Sequence, residues 1–255
     1  MTEPTRAPIS AILITKNEAG NIRRCLSSVA FCQQIVVVDS GSTDETADIA
    51  RRLGADVSIT SDWPGFGPQK NRALAVANQP WVFSIDADEW VSDELAASIR
   101  KHIEGARTGA RVRRASSFCG QVMRHSGWGD DWVVRLFPRK NGRFSEDLVH
   151  ERLVVTGTPV DLAGPLNHES HRDLAHALKK NTQYAELWAS QSNAAGRRSG
   201  IGRAILKGAF ATFRTYVLRQ GFRDGSLGLL LAIVNGHGTF YKYAMLWLKS
   251  AGRQR

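Results

Sequence analysis

Cysteine is scarce in this sequence, and the three cysteines have no spacing that suggests a function. The chain has 255 residues but only Cys25, Cys32 and Cys119, an odd number without a C-x-x-C pair. This argues against a disulfide framework and against a cysteine-ligated zinc site. Free thiols in a reducing compartment are the simpler interpretation.

Long apolar runs are also missing. The N-terminus has no apolar segment typical of a signal peptide. The longest uncharged stretch, 225–241, is interrupted by Gly228, Asn235, Gly236 and Gly238, and it is too short and polar to indicate a transmembrane helix. The hydrophobic fraction of 42% still suffices for a packed core, which argues against a disordered chain. We therefore expect a cytoplasmic globular protein.

Acidic residues are nearly absent from the last part of the chain. Residues 1–196 hold 23 Lys/Arg and 23 Asp/Glu, whereas 197–255 hold 11 Lys/Arg against Asp224 alone, so the whole net charge of +10 lies there. Cations beside bulky residues such as Phe210 and Trp247 favour a helix in an anionic headgroup region. We expect peripheral association with the inner face of a membrane and no nucleic-acid partner. A basic pocket for a phosphorylated glycolipid and a core-packing appendage with a solvated basic face remain alternatives.

Short apolar segments alternate with amphipathic ones over the first hundred residues. This pattern predicts strands at 9–15, 35–39, 55–60 and 81–86 and helices at 17–31, 42–53, 69–77 and 92–103. Ser42 and Glu45 have the spacing of a capping box for the second helix, and Ser92 is the expected cap of the fourth. Uniformly apolar strands separated by helices indicate an α/β fold, a mostly parallel sheet with helices on both faces.

The remaining sequence predicts a second half and an extension. Shorter, more antiparallel strands are expected over 111–170, and a helix over 174–193. We therefore divide the chain into a catalytic domain, 1–196, and a basic amphipathic helical extension, 197–255. Within the domain, about 8–110 form the first half and 111–196 the second.

Polar residues stand where three of the predicted strands end. Thr15, Asp39 and Asp86 lie at such carboxyl ends, the edge at which parallel sheets bind ligands. Asp86 and Asp88 form a D-x-D pair able to hold Mg²⁺ or Mn²⁺ against a diphosphate. A lone D-x-D is more often two solvated loop acids. Lys70 and Arg72, at the start of the predicted third helix, suit phosphate unless they are ordinary surface cations.

These segments together resemble the inverting family 2 glycosyltransferases of the GT-A fold. The resemblance rests on ILITKNE (12–18), VVVDSGSTDET (36–46), GFGPQKNRAL (65–74) and IDADEW (85–90). It continues through 125–153, which is similar to the subgroup containing lipopolysaccharide core β-1,4-glucosyltransferases. The resemblance implies a hexose, most simply glucose from UDP-glucose, transferred to a lipid-linked saccharide such as lipopolysaccharide inner core.

The resemblance also implies that the first half of the domain, about 8–110, binds the nucleotide sugar and the second, 111–196, the acceptor. It implies roles for the matched positions as well. Thr15, Glu18 and Asp39 would line the nucleotide site, and Asp86 would approach the ribose or the donor sugar. Lys70 and Asn71 would lie near the donor phosphates or sugar. Asp88 would bind the metal.

An inverting transfer needs a general base to take the proton of the acceptor hydroxyl. The candidates lie after the D-x-D, in SEDLVHE: Glu151, Asp147 and Glu146. His150 could complete the metal site, and His168 is a weaker candidate for that role. The two tryptophans flanking GDD could stack on a sugar or simply pack, namely Trp128 and Trp132.

Other functions predict different products. A polyprenyl-phosphate glycosyltransferase would use a lipid phosphate as nucleophile and need no protein base. A nucleotidyltransferase would release pyrophosphate rather than a nucleoside diphosphate. A non-catalytic, nucleotide-regulated RNA- or membrane-binding protein would show no turnover.

Overall fold

The computed structural model describes residues 6–145 and 152–252. Its strands are β1 (Ala7–Thr15), β2 (Cys32–Asp39), β3 (Asp56–Ile59), β4 (Trp81–Ser84), β5 (Glu89–Val91), β6 (Ala110–Phe118), β7 (Gln121–Val122), β8 (Trp132–Pro138), β9 (Gly142–Phe144), β10 (Leu153–Val155) and β11 (Val160–His171). Its α-helices are α1 (Ile22–Ser28), α2 (Thr46–Arg52), α3 (Phe66–Val76), α4 (Asp93–Ile103), α5 (Leu174–Ala194), α6 (Ile201–Phe213) and α7 (Gly225–Ser250). Short 3₁₀ or π turns occupy Arg139–Asn141, Arg214–Leu218 and Gly221–Asp224.

The chain forms two compact units, and the first carries most of the sheet. This unit consists of Met1–Arg114 and Asp131–His168. The strand order is β3-β2-β1-β4-β8-β6-β11-β5. The pairs among the first four strands are parallel, whereas β8 pairs antiparallel with β4 and β6, and β5 pairs antiparallel with β11. The predicted α/β class is confirmed. Antiparallel strands are present over 111–170, where the sequence predicts them, but β5 lies outside that range and was not predicted.

Helices cover both faces of this sheet, because β1 carries apolar side chains on both of its faces. Ile9 and Leu13 pack with residues of α1, α2 and α4 in one buried cluster. Ile12 and Ile14, whose side chains point the other way, pack with residues of α3 in a second cluster. The uniformly apolar strands therefore have the arrangement that the sequence predicts.

Three predicted helix starts are wrong. α1 begins at Ile22 rather than at Asn17. Residues 17–19 instead form a loop. Its backbone N–H groups donate to side chains between β2 and the first residue of α2. The contacts are Asn17 N to Ser42 Oγ (2.8 Å), Glu18 N to Thr46 Oγ1 (2.8 Å) and Ala19 N to Asp44 Oδ2 (3.2 Å). α2 begins at Thr46, and Ser42 does not cap it because the Ser42 hydroxyl donates to Asp39. α3 begins at Phe66, three residues before the predicted Gln69.

The second unit consists of Ala115–Asp130 and Glu169–Arg255. Its apolar core contains Phe118, Met123, Ala177, Leu231 and Val234. The predicted helical C-terminal extension is present as α6 and α7. This division differs from the predicted boundary at residue 196, which stays a prediction. Among the helices of the described residues, none is long and apolar enough to cross a membrane.

Candidate active site

The carboxyl ends of β1 and β2 lie side by side, as the sequence predicts. Thr15 and Asp39 are partners in the parallel register, and Ser40 N donates to Thr15 O at 2.9 Å. Both side chains are buried. The Thr15 hydroxyl has no hydrogen-bond partner among the described residues. A buried hydroxyl of this kind is normally satisfied, so it marks a place for a polar ligand group.

Asp39 is held in place by the turn that follows it. Its Oδ1 accepts from Ser42 N at 2.7 Å, and its Oδ2 accepts from Ser42 Oγ at 2.5 Å. A carboxylate has about four acceptor positions, so these two bonds leave capacity for a ligand donor. Glu18 lies in the loop tied to this turn, and its Oε2 accepts from Asn21 Nδ2 at 2.9 Å.

Two buried cations hold Asp86. Lys70 Nζ lies 3.0 Å from Asp86 Oδ1, and Arg135 Nη2 lies 2.6 Å from Asp86 Oδ2. Burial opposes ionisation of this carboxyl, but the charges of Arg135 and Lys70 outweigh it, so the pKa of Asp86 is lowered well below its usual value. The Asp86 side chain remains 33% exposed. It is therefore a fixed carboxylate that a ligand can still reach.

Glu89 and Arg114 extend this network into the sheet. Arg135 Nη2 also lies 2.6 Å from Glu89 Oε1, and Arg114 Nη1 lies 3.5 Å from the same oxygen. Arg114 is in turn bound to Asp131 at 2.7 Å. Burial raises the pKa of Glu89, although the charge of Arg135 opposes that shift. Glu89 Oε2 accepts from Asp86 N at 3.0 Å, which fixes the backbone of the D-x-D turn.

Asp88 lies beside a histidine from a distant strand. β5 and β11 pair so that Glu89 stands opposite His168, and His168 Nε2 lies 3.3 Å from Asp88 Oδ2. Within residues 6–145 and 152–252, no three His, Cys, Asp or Glu side chains come together closely enough to hold a metal ion. Asp88 and His168 are thus a candidate pair of ligands, which substrate oxygens would have to supplement.

Two residues of α3 lie apart from this cluster. Both ends of the Asn71 amide form hydrogen bonds with the backbone of Phe144. Asn71 Nδ2 donates to Phe144 O at 2.9 Å, and Asn71 Oδ1 accepts from Phe144 N at 3.0 Å. Arg72 forms an exposed bidentate pair with Asp62 at 2.8 and 2.7 Å. Because α3 begins at Phe66, neither Lys70 nor Arg72 stands at its first turn. The expected phosphate site at the start of this helix therefore loses its geometric basis.

Sequence reasoning missed several residues of the site. Arg135 and Arg114 lie in strands far along the chain from Asp86, and no local pattern connects them. Gln69 is fully buried and donates through Nε2 to Ser40 Oγ at 3.0 Å and to Thr60 Oγ1 at 2.7 Å. In the sequence, only the position of Gln69 directly before Lys70 links it to the predicted site residues.

The candidate general bases lie outside the described residues, as does one metal candidate. These residues are Glu146, Asp147, His150 and Glu151. The flanking strands β9 and β10 are described, and Ser145 N donates to Arg152 O at 2.9 Å. Phe144 precedes this segment, and Lys70 Nζ lies 5.8 Å from its ring centroid. Phe144, the last residue of β9, therefore lies beside Lys70.

The two tryptophans of the sequence pattern have packing partners. Trp128 packs with the core of the second unit and lies 6.0 Å from the ring of His171. Trp132 has the guanidinium of Arg111 5.5 Å from its ring centroid. Both contacts agree with the packing alternative.

Comparison with known families now identifies the chain. Residues 10–156 match the family model described as glycosyl transferase family 2, and this match covers more than half of the chain. The chain belongs to glycosyl transferase family 2. The family predicted from its motifs is confirmed, and so is a transferase activity as its class.

Several relatives extend the match beyond the family region. The lipopolysaccharide core biosynthesis glycosyltransferase LpsC of Rhizobium meliloti (strain 1021) is 28% identical over 258 residues, covering 98% of this chain and 96% of that protein. An uncharacterized glycosyltransferase of Rickettsia bellii (strain RML369-C) is 44% identical over 100 residues, covering 39% of this chain and 34% of that protein. The predicted resemblance to lipopolysaccharide core glycosyltransferases is thus confirmed.

Solved structures of a bacterial synthase are also similar. Glucosyl-3-phosphoglycerate synthase from Mycobacterium tuberculosis, in complex with Mg²⁺ and uridine diphosphate, is 20% identical with a TM-score of 0.39. The similarity covers 52% of this chain and 56% of that one.

Proposed function

We propose that the protein transfers a hexose from a nucleotide sugar to a lipid-linked saccharide, with inversion at the anomeric carbon. UDP-glucose is the first candidate donor, and a saccharide like the lipopolysaccharide inner core is the first candidate acceptor. The whole-length likeness to a lipopolysaccharide core glycosyltransferase supports this acceptor class. The observation that carries the proposal is the Asp86 carboxylate fixed by Lys70 and Arg135 next to Asp88 and His168.

The rim of the sheet suits the nucleoside part of the donor. Asp39 has remaining acceptor capacity for a base N–H or a ribose hydroxyl. The Thr15 hydroxyl beside it, which has no partner in the part of the chain that the structure describes, offers one more contact. Asp86, kept ionised by two cations, would accept from a ribose or sugar hydroxyl. Because these side chains are buried or tethered, they would need little reorganisation on binding.

Asp88 and His168 suit a divalent cation shared with the donor diphosphate. Asp88 Oδ2 and His168 Nε2, which lie 3.3 Å apart, would hold this cation together with oxygens of the donor diphosphate. Among the described residues of this cluster, the acids Asp86, Asp88, Glu89 and Asp131 outnumber the cations Lys70, Arg114 and Arg135, so the cluster favours added positive charge. Bound Mg²⁺ or Mn²⁺ would offset the charge that develops on the leaving diphosphate.

The transfer itself requires one proton acceptor. The acceptor hydroxyl oxygen would form a bond to the anomeric carbon while the bond to the diphosphate breaks, and that electron pair leaves with the nucleoside diphosphate. Glu151, Asp147 or Glu146 would take the hydroxyl proton. Asn71 would position this segment, because it anchors Phe144 two residues before Glu146.

A nucleotide-sugar panel tests the proposal. The protein is incubated with UDP-, GDP- and dTDP-sugars, with Mg²⁺, Mn²⁺ or EDTA, and release of the nucleoside diphosphate is measured with and without a lipid extract. We expect release from one donor, dependent on metal and lost in Asp88→Asn. The matched control is Asp62→Asn, an exposed acid paired with Arg72, which should retain activity. No release from any donor with the extract present, or equal release by Asp88→Asn, would contradict the proposal.

We further propose that the enzyme works at the cytoplasmic face of a membrane, on its anionic surface, because its acceptor would be anchored there. The +10 charge of residues 197–255 supports this location.

A further inference from the structure

Helix α6 buries its small residues rather than its large ones. Ala204, Gly208, Ala211 and, just beyond the helix, Thr215 are buried, spaced four, three and four residues apart. This stripe packs on α7, since a Cβ atom at Gly208 would lie 3.0 Å from Phe240 Cβ and 3.1 Å from Gly236 O. The close approach of two helices accounts for the small side chains.

The opposite face of the same helix, and of the turn that continues it, carries large apolar side chains. Leu206, Phe210, Phe213 and, just beyond the helix, Val217 follow the same spacing, and their exposed fractions are 72, 54, 50 and 43%. At about 100° per residue, these four positions point away from the buried stripe. A helix covered on one side by its own protein ordinarily presents polar residues there. We call these four residues the α6 outward face.

Cations line one edge of the α6 outward face. Arg203, Lys207 and Arg214 are exposed and spaced four and seven residues apart, so they share a side of the helix. Asp224 is the sole acid of 197–255, and it is buried. It accepts from the backbone N–H groups of His125 and Arg124 and from Ser126 Oγ, so its carboxylate is engaged in the interior and pairs with none of these three cations.

We propose that the α6 outward face docks on an anionic lipid bilayer, with the helix parallel to the membrane surface. The large apolar side chains would enter the headgroup boundary, and the three cations would contact lipid phosphates. A second copy of the chain is a poorer occupant, because its own α6 would bring the same positive charge. This inference names the surface through which the proposed enzyme would contact the membrane, and it rests on the proposed function.

Vesicle sedimentation of the full chain tests the docking. We expect binding to mixed phosphatidylcholine and phosphatidylglycerol vesicles, weak binding to phosphatidylcholine alone, and a decrease as sodium chloride is raised. Equal binding to both compositions, or no binding to either at low salt, would overturn the proposal.

Paired variants locate the contact. Leu206→Ser/Phe210→Ser should lower the vesicle partition coefficient about tenfold or more. The matched control, Ile59→Ser/Leu187→Ser, removes two side chains of similar exposure, 57 and 58%, elsewhere on the protein and should bind as wild type does. Lys207→Gln/Arg214→Gln should lower partition to the mixed vesicles about 30-fold, at about fivefold per cation. Equal loss in the control pair would overturn the assignment to α6.

Two further measurements separate this inference from its rivals. Light scattering after gel filtration detects self-association; a dimer that Leu206→Ser/Phe210→Ser dissolves, without vesicle binding by the wild type, would overturn the proposal. Release of the nucleoside diphosphate, with and without the lipid extract, is measured on the same samples. Release without vesicle binding would refute the docking alone, whereas vesicle binding without release from any donor, even with the extract present, would refute the proposed function and leave the docking supported.

Discussion

The Nη2 atom of Arg135 lies 2.6 Å from Oδ2 of Asp86 and at the same distance from Oε1 of Glu89. One terminal nitrogen of a buried guanidinium thus binds two carboxylates that would otherwise repel each other. The D-x-D turn depends on this arrangement, because both carboxylates flank Asp88. One of the two charge partners of Asp86 therefore comes from β8, a strand of the antiparallel half of the sheet, and the other, Lys70, from α3.

Removing this guanidinium should destabilise the protein. Arg135→Met would leave Asp86 and Glu89 facing each other with only Lys70 and Arg114 to balance them, and we expect a loss of about 3 kcal/mol in the free energy of unfolding. We use the lower end of the range for broken buried pairs because the Asp86 side chain is 33% exposed. Urea unfolding followed by circular dichroism measures this loss.

Arg72→Met, which breaks the exposed pair with Asp62, is the control and should change the free energy of unfolding little. Similar losses in both variants would contradict the role of the buried network.

The sequence predicts the strands well because burial on both faces makes them uniformly apolar. It predicts Thr15, Asp39 and Asp86 as rim residues for the same reason: each follows an apolar run. Arg135 could not be predicted, because its position beside Asp86 depends on the antiparallel register of β8 against β4. The prediction that α1 begins at Asn17 was wrong for a related reason. The loop contact of Asn17 with Ser42 is a tertiary interaction that overrides the local helical pattern.

A second prediction concerns the metal pair. If Asp88 and His168 share a cation, His168→Ala should raise the Kd for Mn²⁺, measured by electron paramagnetic resonance with UDP present, about tenfold or more. Mn²⁺ binding is independent of turnover, so it separates a ligand role from a general loss of activity. His237→Ala replaces an exposed histidine of α7 and should leave the Kd unchanged. Unchanged Mn²⁺ affinity in His168→Ala would remove His168 from the proposed site.

A third prediction concerns the packing of α6 on α7. A Cβ atom at Gly236 would lie 1.9 Å from Thr212 Oγ1, so Gly236→Ala should lower the free energy of unfolding by about 1–3 kcal/mol through overpacking. Gly202 also lies in a helix, but a Cβ atom there meets nothing within 4 Å. Gly202→Ala should therefore stabilise the protein by up to about 1 kcal/mol, because alanine is the better helix former. Urea unfolding should give effects of opposite sign; stabilisation by both changes would mean that the two helices pack less closely than the structure indicates.

The last prediction concerns alkaline pH and Cys32. This thiol is buried at the start of β2, and burial raises its pKa from 9.0 to about 12, a shift that the charge of Arg100 only partly opposes. Above pH 9 the unfolded chain loses this proton while the native protein keeps it. The contribution of Cys32 to stability is therefore fully present below pH 9 and is lost as the pH rises toward 12.

Cys32→Ala isolates this contribution, because Cys25 and Cys119 remain in both proteins. From about pH 9 to about pH 10.5, the free energy of unfolding of the wild type should fall about 1.5 kcal/mol further than that of the variant. The constant cost of the lost sulfur contact cancels, since only the difference between the two pH profiles is compared. Urea unfolding at several pH values in this window, with a reductant present, gives both profiles. Parallel profiles would mean that Cys32 ionises in the native protein as readily as in the unfolded chain. A thiol buried at the start of β2 should not do so, because ionisation would place a charge where water cannot solvate it.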